Sequence, residues 1–204
     1  MIRILFLSAI ISLSVLRPAA AEDTDEIKNL LKGKIDIVVQ LLQEENMDKK
    51  KRNEKILETV SPIFDFPRMA KLSLGKKHWT GISAEERKEF STLFVEQLKE
   101  SYLDKLELYS NEDVVVEEAK RVKSRIHIVT HLVSKGDTKE MVYKFYKSKQ
   151  GWKIYDVVML GVSIVQTYRS QFDGVLKKET FEDLLRKLRK TGEFSSPTVT
   201  TTGN

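Results

Sequence analysis

Asp156 is the one acid inside the apolar run from Trp152 to Leu160, and Tyr155, Tyr168 and His78 are the groups that could work with it. A carboxylate in apolar surroundings can act as a general base, with a phenol or an imidazole passing the proton on. It can equally do structural work, as half of a buried ion pair, with Arg169 two helical turns beyond Gly161, or as an acceptor for backbone N–H groups at a strand-to-helix junction. His127 and His131 fall on one strand face about 13 Å apart, too far to share a metal ion. The chain has no cysteine, and it contains no phosphate-binding glycine loop, nucleophile elbow or paired-histidine zinc helix. Neither a metal centre nor any other cofactor is therefore expected.

The elements that must position Asp156 are legible around it. Trp152, Ile154, Val158 and Leu160 alternate with Tyr155, Val157 and Met159, so both faces of this strand are apolar and should be covered. Beyond Gly161 the period changes: Val165, Tyr168, Phe172 and Val175 form one stripe of an amphipathic helix. A buried strand is thus expected to run straight into a helix at Gly161.

Upstream, Ile27, Leu30, Leu31, Ile35, Val38 and Leu42 stand at helical spacing behind capping residues Asp23 to Asp25. Asp48 opens a basic helix that Pro62 ends, and Asp65 caps a short one with Pro67 in its first turn and Gly75 at its end. Ser83 and Glu86 make a capping box. The helix that it starts carries Phe90, Phe94, Leu98, Tyr102 and Leu106 in one stripe. From Val114 the period is two: Ile126, Ile128 and Leu132, then Met141, Tyr143 and Phe145, then the Trp152 strand. Thr180 caps a last helix, with Phe181, Leu184, Leu185 and Leu188, that runs to Gly192. The class is α+β, a twisted four-stranded antiparallel sheet wrapped by helices.

Arg3, the apolar run Ile4 to Leu16 and the triplet Ala19-Ala20-Ala21 have the layout of a cleaved signal peptide, residues 1–21. Its removal takes two arginines and no acid from a net charge of +5. About 180 residues remain, enough for one domain at 22–192 with a core that needs no disulfide. Residues 193–204 are Ser/Thr-rich without apolar period and read as a disordered tail. Lys49 to Arg52, and Arg186, Lys187, Arg189 and Lys190, are basic, but Glu44, Glu45, Glu54, Glu182 and Asp183 lie among them. Solvated helix faces explain both runs, with weak steering towards anionic head groups or an acidic partner still open. No nucleic-acid partner is expected.

Trp152-Lys-Ile-Tyr-Asp156, Gly161-Val-Ser-Ile-Val165 and Tyr168-Arg-Ser-Gln-Phe172, in that order, follow Phe64-Asp-Phe-Pro-Arg-Met-Ala70, Trp79 and the long Phe90 helix. Together they resemble the MlaC family of periplasmic phospholipid-binding, or toluene-tolerance auxiliary, proteins, over roughly Ile27 to Leu188. The resemblance implies an NTF2-like or cystatin-like sheet with an acyl-chain cavity between sheet and helices. It further implies a monomeric carrier in the periplasm, not an enzyme. Such a carrier would pass phospholipid between an outer-membrane lipoprotein-porin complex and an inner-membrane ABC transporter bearing an MCE domain, and so maintain outer-membrane lipid asymmetry. A relative found with hopanoid genes suggests a variant cargo.

By periodicity alone, Phe64, Phe66, Met69, Leu72, Trp79, Phe90, Phe94 and Leu98 are ordinary core residues, as are Tyr102, Trp152, Val158, Val162, Val165, Tyr168 and Phe172. The resemblance implies that the set lines the lipid cavity, with Asp156, Gly161 and Arg169 structural. A pocket would be useful because each methylene taken out of water gains roughly 0.8 kcal/mol, so a two-chain lipid cannot cross an aqueous gap alone. A pocket that takes the tails and leaves the head group in solvent does this without selecting one phospholipid. The alternative is a small exported NTF2-like enzyme with Asp156 as its base, and an interaction module without a hollow core is a third reading.

Overall fold

Asp48, Asp65, Ser83, Ser163 and Thr180 each precede a helix, and each side-chain oxygen accepts from the backbone N–H three residues on, at 2.9–3.2 Å. These caps satisfy donors that a helix start otherwise leaves unpaired. They set the beginnings of five helices in the computed structural model, which describes residues 19–106, 113–134, 137–190 and 192–194. The helices are α1 (Ala19–Gln43), α2 (Lys49–Val60), α3 (Phe66–Leu74), α4 (Lys76–Thr80), α5 (Ala84–Leu106), α6 (Ile164–Leu176) and α7 (Phe181–Leu188). The short α4, which carries Trp79, was not anticipated, and α7 stops at Leu188, before Gly192.

The antiparallel sheet has β1 (Asp113–Val116), β2 (Lys120–Val122), β3 (Arg125–Ser134), β4 (Asp137–Ser148), β5 (Gly151–Met159) and β6 (Val162–Ser163). Its order is β1-β3-β4-β5-β6, with β2 also paired to β3. The α+β class and the antiparallel sheet wrapped by helices are as expected, but the described residues form six strands in place of four. The expected first strand is broken at Glu117–Ala119 into β1 and β2, and β6 is added.

That added strand corrects the expected junction at Gly161. Leu160 and Gly161 both have positive φ, 48° and 79°, the conformation of a two-residue type I′ hairpin. The turn pairs Met159 with Val162, and the helix begins only after Ser163. A second correction concerns which residues of β5 share a face. Phe145 pairs with Ile154, but Tyr143, two residues before it, pairs with Val157. Tyr155 is therefore the extra residue of a β-bulge, and the bulge moves Val157 and Met159 onto the face of Ile154 while Val158 goes to the other.

The closed part of the core is aromatic. Phe90, Phe94, Tyr168 and Phe172 have no exposed surface. Phe94 meets Tyr168 edge-on at 5.3 Å and Phe90 meets Phe172 at 5.5 Å, geometries favoured by ring quadrupoles. Phe194 completes the cluster, its ring 5.1 Å from that of Phe172 and its carbonyl accepting from Gln97 Nε2 at 3.2 Å. The described chain reaches Phe194, which is buried and so stands apart from the tail expected from Glu193 onward. Residues 195–204 and 1–18 lie outside the described residues, and Ala19 to Ala21 form the start of α1.

Candidate functional site

The stripe of α5 serves two purposes. Its first half, Phe90 and Phe94, is sealed in the aromatic cluster, whereas Leu98, Tyr102 and Leu106 border a cavity of about 280 Å³. On α1, Leu31, Ile35, Val38, Val39 and Leu42 form one helical stripe along the opposite wall, and Ile56, Leu57 and Val60 of α2 continue it. The sheet contributes Val114, Leu132, Met141, Tyr143, Val157 and Met159. Pairings Val114 with Leu132, Tyr143 with Val157 and Met141 with Met159 place these on one face. The bulge at Tyr155 is what aims Val157 and Met159 at the cavity.

Phe64, Phe66 and Met69 close the end of the cavity near α3. Their position is set by the backbone: Phe64 bridges Ile154, and Asp65 N donates to Ile154 O at 2.9 Å. The Phe64 and Phe66 rings stack at 5.4 Å. The Asp65 carboxylate caps α3 and also accepts from the Tyr146 hydroxyl. The run Phe64-Asp-Phe-Pro is thereby fixed between β5 and α3.

Of the fifteen residues expected at a lipid site, Phe64, Phe66, Met69, Leu98 and Tyr102 are on this wall. Phe90, Phe94, Tyr168 and Phe172 are in the aromatic cluster, with Val165 and Leu72 packed in or against the same core. Trp152 ties down the start of α1, its Nε1 donating to Asp23 Oδ1 at 3.2 Å. Trp79 lies outside the cavity, with the Arg87 guanidinium 5.7 Å above its ring. Val158 faces away, and Val162 is exposed on β6. The α1 stripe, Met141 and Tyr143 were read from the sequence only as apolar faces, and nothing in their spacing distinguishes a cavity wall from a packed core.

Polar groups on the wall are few. Tyr102 and Tyr143 are both pushed up by burial, Tyr143 to about 12, so both phenols stay neutral. Lys34, Lys99, Lys139 and Glu140 are the charged side chains of the lining. Leu160, also on the wall, is 40% exposed and marks the mouth.

Asp156 does not line the cavity. Its carboxylate accepts from Lys144 Nζ at 3.0 Å, Ser163 Oγ at 2.9 Å and Val165 N at 3.3 Å. The ion-pair partner is thus Lys144, and Arg169 lies instead across Gly75, where a Cβ would meet its Nε at 3.2 Å. His78 is near Asp173, at 3.4 Å, and His131 pairs with Glu117 at 2.7 Å. The His127 imidazole is held below its usual range by burial, with Lys144 and Arg125 adding to the effect. Among the described residues, no group of acids and histidines is placed to hold a metal ion.

A family model described as MlaC protein matches residues 32–190. The intermembrane phospholipid transport system binding protein MlaC of Haemophilus influenzae is 26% identical over 120 residues, 55% of this chain and 56% of that protein. The match thus spans about half the length of the curated relative. A phospholipid-binding protein from Ralstonia solanacearum, solved in complex with a phospholipid, superimposes with a TM-score of 0.71. At 20% identity, the superposition covers 79% of this chain and 94% of that one, and what it shows is a shared fold.

Proposed function

The chain belongs to the MlaC family, and from that premise we propose that it is a periplasmic phospholipid carrier whose cavity holds acyl chain. The observation that carries this reading is the cavity itself, walled almost wholly by aliphatic and aromatic side chains from α1, α2, α5 and one face of the sheet. Apolar walls stabilise methylenes without directional bonds, so the same pocket accepts chains of different length and saturation. No bond in the cargo is made or broken.

At about 280 Å³ the cavity falls just below the roughly 300–1,000 Å³ of small-molecule sites. Two full tails need more, so this reading requires the cavity to widen on loading. Residues 1–21 direct export and are removed. Among the described residues no helix is long and apolar enough to cross a membrane. In this reading the carrier travels as a monomer. Its stations are an outer-membrane lipoprotein-porin complex and an inner-membrane MCE-domain transporter, and its service is outer-membrane lipid asymmetry.

The enzymatic alternative has little support in the geometry. The Asp156 carboxylate is engaged by three donors away from the cavity wall, so the base that this alternative names does not face the cavity. Native mass spectrometry of protein purified from a periplasmic extract without detergent tests the carrier reading. A phospholipid adduct of defined stoichiometry is expected. A clean unliganded mass, with no uptake from liposomes, would overturn it.

A further inference from the structure

Two tight hairpins end side by side at the end of the sheet opposite the cavity mouth. Val122 pairs with Arg125 and Ser148 with Gly151, so two residues form each turn, Lys123-Ser124 and Lys149-Gln150. Arg125 pairs in turn with Tyr146 of the neighbouring hairpin, which brings the two tips together. Along β4, the run from Glu140, whose carbonyl accepts from Leu160 N at the mouth, to Lys149 at the tip spans about 30 Å.

The tips are basic. Lys120-Arg-Val-Lys-Ser-Arg125 and Lys147-Ser-Lys-Gln-Gly-Trp-Lys153 hold four and three cations and no acid. Asp23 pairs with Arg121 and Lys147, and Lys120 stands 3.9 Å from Glu117. The other four have no acid as partner among the described residues. Arg125 donates to the Tyr155 hydroxyl at 2.8 Å and Lys153 to the Pro62 carbonyl, while Lys123 and Lys149 are exposed at the turns. On the helices, by contrast, Lys32 is paired with Asp36, Lys177 with Asp173 and Arg189 with Glu182. The hairpin tips therefore present positive charge that the chain's own acids do not offset.

The kind of partner follows from what the tips lack. A stable protein interface is built round apolar or aromatic anchors seated in pockets. Here Tyr155 is only 7% exposed, the Arg68 guanidinium covers the Tyr146 ring at 3.9 Å, and Val122 is the large apolar side chain exposed at the tips. Long cationic side chains without a pocket suit a surface of many anions at no fixed spacing. We propose that the paired hairpin tips, with Lys123, Arg125, Lys149 and Lys153, dock the protein on a membrane surface rich in anionic phospholipid, with the cavity mouth turned away from that surface. The contact is with head groups still in the bilayer, whatever the cavity holds, so it goes beyond the carrier reading and does not depend on it. Each Lys or Arg near an anionic surface enriches the protein there about fivefold, and salt screens the attraction. A carrier held in this way stays beside its membrane with its mouth free.

The test is co-sedimentation of the protein, purified from the periplasm, with vesicles of phosphatidylcholine alone or of equimolar phosphatidylcholine and phosphatidylglycerol. Binding to the anionic vesicles should exceed binding to the neutral ones by at least about 100-fold at low salt and fall away at 1 M salt. Lys123→Gln with Lys149→Gln should lower it about 25-fold, and the corresponding pair of Glu substitutions should lower it further. Lys50→Gln with Lys178→Gln, exposed positions outside the sheet, makes the same change in net charge and should lower it far less. Equal binding to the two kinds of vesicle, or equal losses in the tip and control variants, overturns the proposal. Tighter binding to poly-glutamate than to the phosphatidylglycerol vesicles at equal charge would assign the tips to an acidic protein and overturn it as well. The carrier reading stands or falls separately, on the phospholipid that the protein itself carries.

Discussion

Phe94 and Leu98 stand one helical turn apart on the same stripe of α5, yet Phe94 is enclosed by Tyr168 and Phe172 while Leu98 borders the cavity. One continuous apolar face is thus partitioned between holding the fold together and leaving space for a ligand. The partition is made by what lies opposite: α6 closes over Phe94, whereas α1 and α2 stand across from Leu98.

Substitutions at these two positions should therefore separate stability from loading. Phe94→Ala removes a fully buried ring and should lower unfolding free energy by about 3–5 kcal/mol. Leu98→Trp puts bulk into the cavity and should cost about 1–3 kcal/mol at most, yet strongly reduce lipid recovered with the protein. Denaturant unfolding and lipid extraction on the same preparations measure both. Unchanged lipid content in folded Leu98→Trp would remove α5 from the binding wall.

Asp156→Ala should destabilise the protein by about 2–4 kcal/mol, since it strands Lys144, the Ser163 hydroxyl and the Val165 N–H without their acceptor. We assign this carboxylate to the β5–α6 junction because all its donors come from β4, β6 and the first turn of α6. A variant with an unchanged melting temperature would contradict that role.

What was legible in the sequence follows from what kind of signal each feature leaves. Caps at Asp48, Asp65, Ser83 and Thr180 were readable because a side-chain oxygen three residues before an amide is a local arrangement. The bulge at Tyr155 was not, because both faces of β5 are apolar and alternation alone gives no sign of an inserted residue. Phe194 was missed for a related reason: a lone aromatic beyond Gly192, without periodic neighbours, carries no trace of the Phe172 ring that it covers. The cavity left the weakest trace of all. Ile35, Val38 and Met141 look like core residues because they are apolar and face inward, and only the three-dimensional distance between α1 and β4 tells a wall from a packed layer.

Gly75 links α3 to α4 at φ 80° and ψ 153°, a region that residues with a Cβ rarely enter. Gly75→Ala should cost about 1–3 kcal/mol from backbone strain, plus whatever displacement the Arg169 guanidinium needs to clear the new methyl. The double variant Gly75→Ala with Arg169→Ala should recover only the contact part. Full recovery in thermal melts would mean that the backbone conformation costs nothing there.

Acid should loosen α7 in a defined window. The Asp183 carboxyl, ordinarily near 3.8, is held down to about 2 by the Thr180 hydroxyl and N–H, with Arg186 adding to the effect. A carboxyl whose folded pKa is depressed contributes its stability above the unfolded value and loses it as pH falls through the folded one. Between pH 4 and 2 the native protein should therefore lose the contribution of this cap, and the loss should be absent from Asp183→Asn, which cannot ionise. The comparison to make is melting temperature against pH for the two proteins. Their difference should be constant above about pH 5 and shrink steadily below pH 4. Parallel curves throughout would show that the Thr180–Asp183 cap does not persist in solution and does not hold the first residue of α7, Phe181, against Phe90, whose ring lies 6.1 Å away.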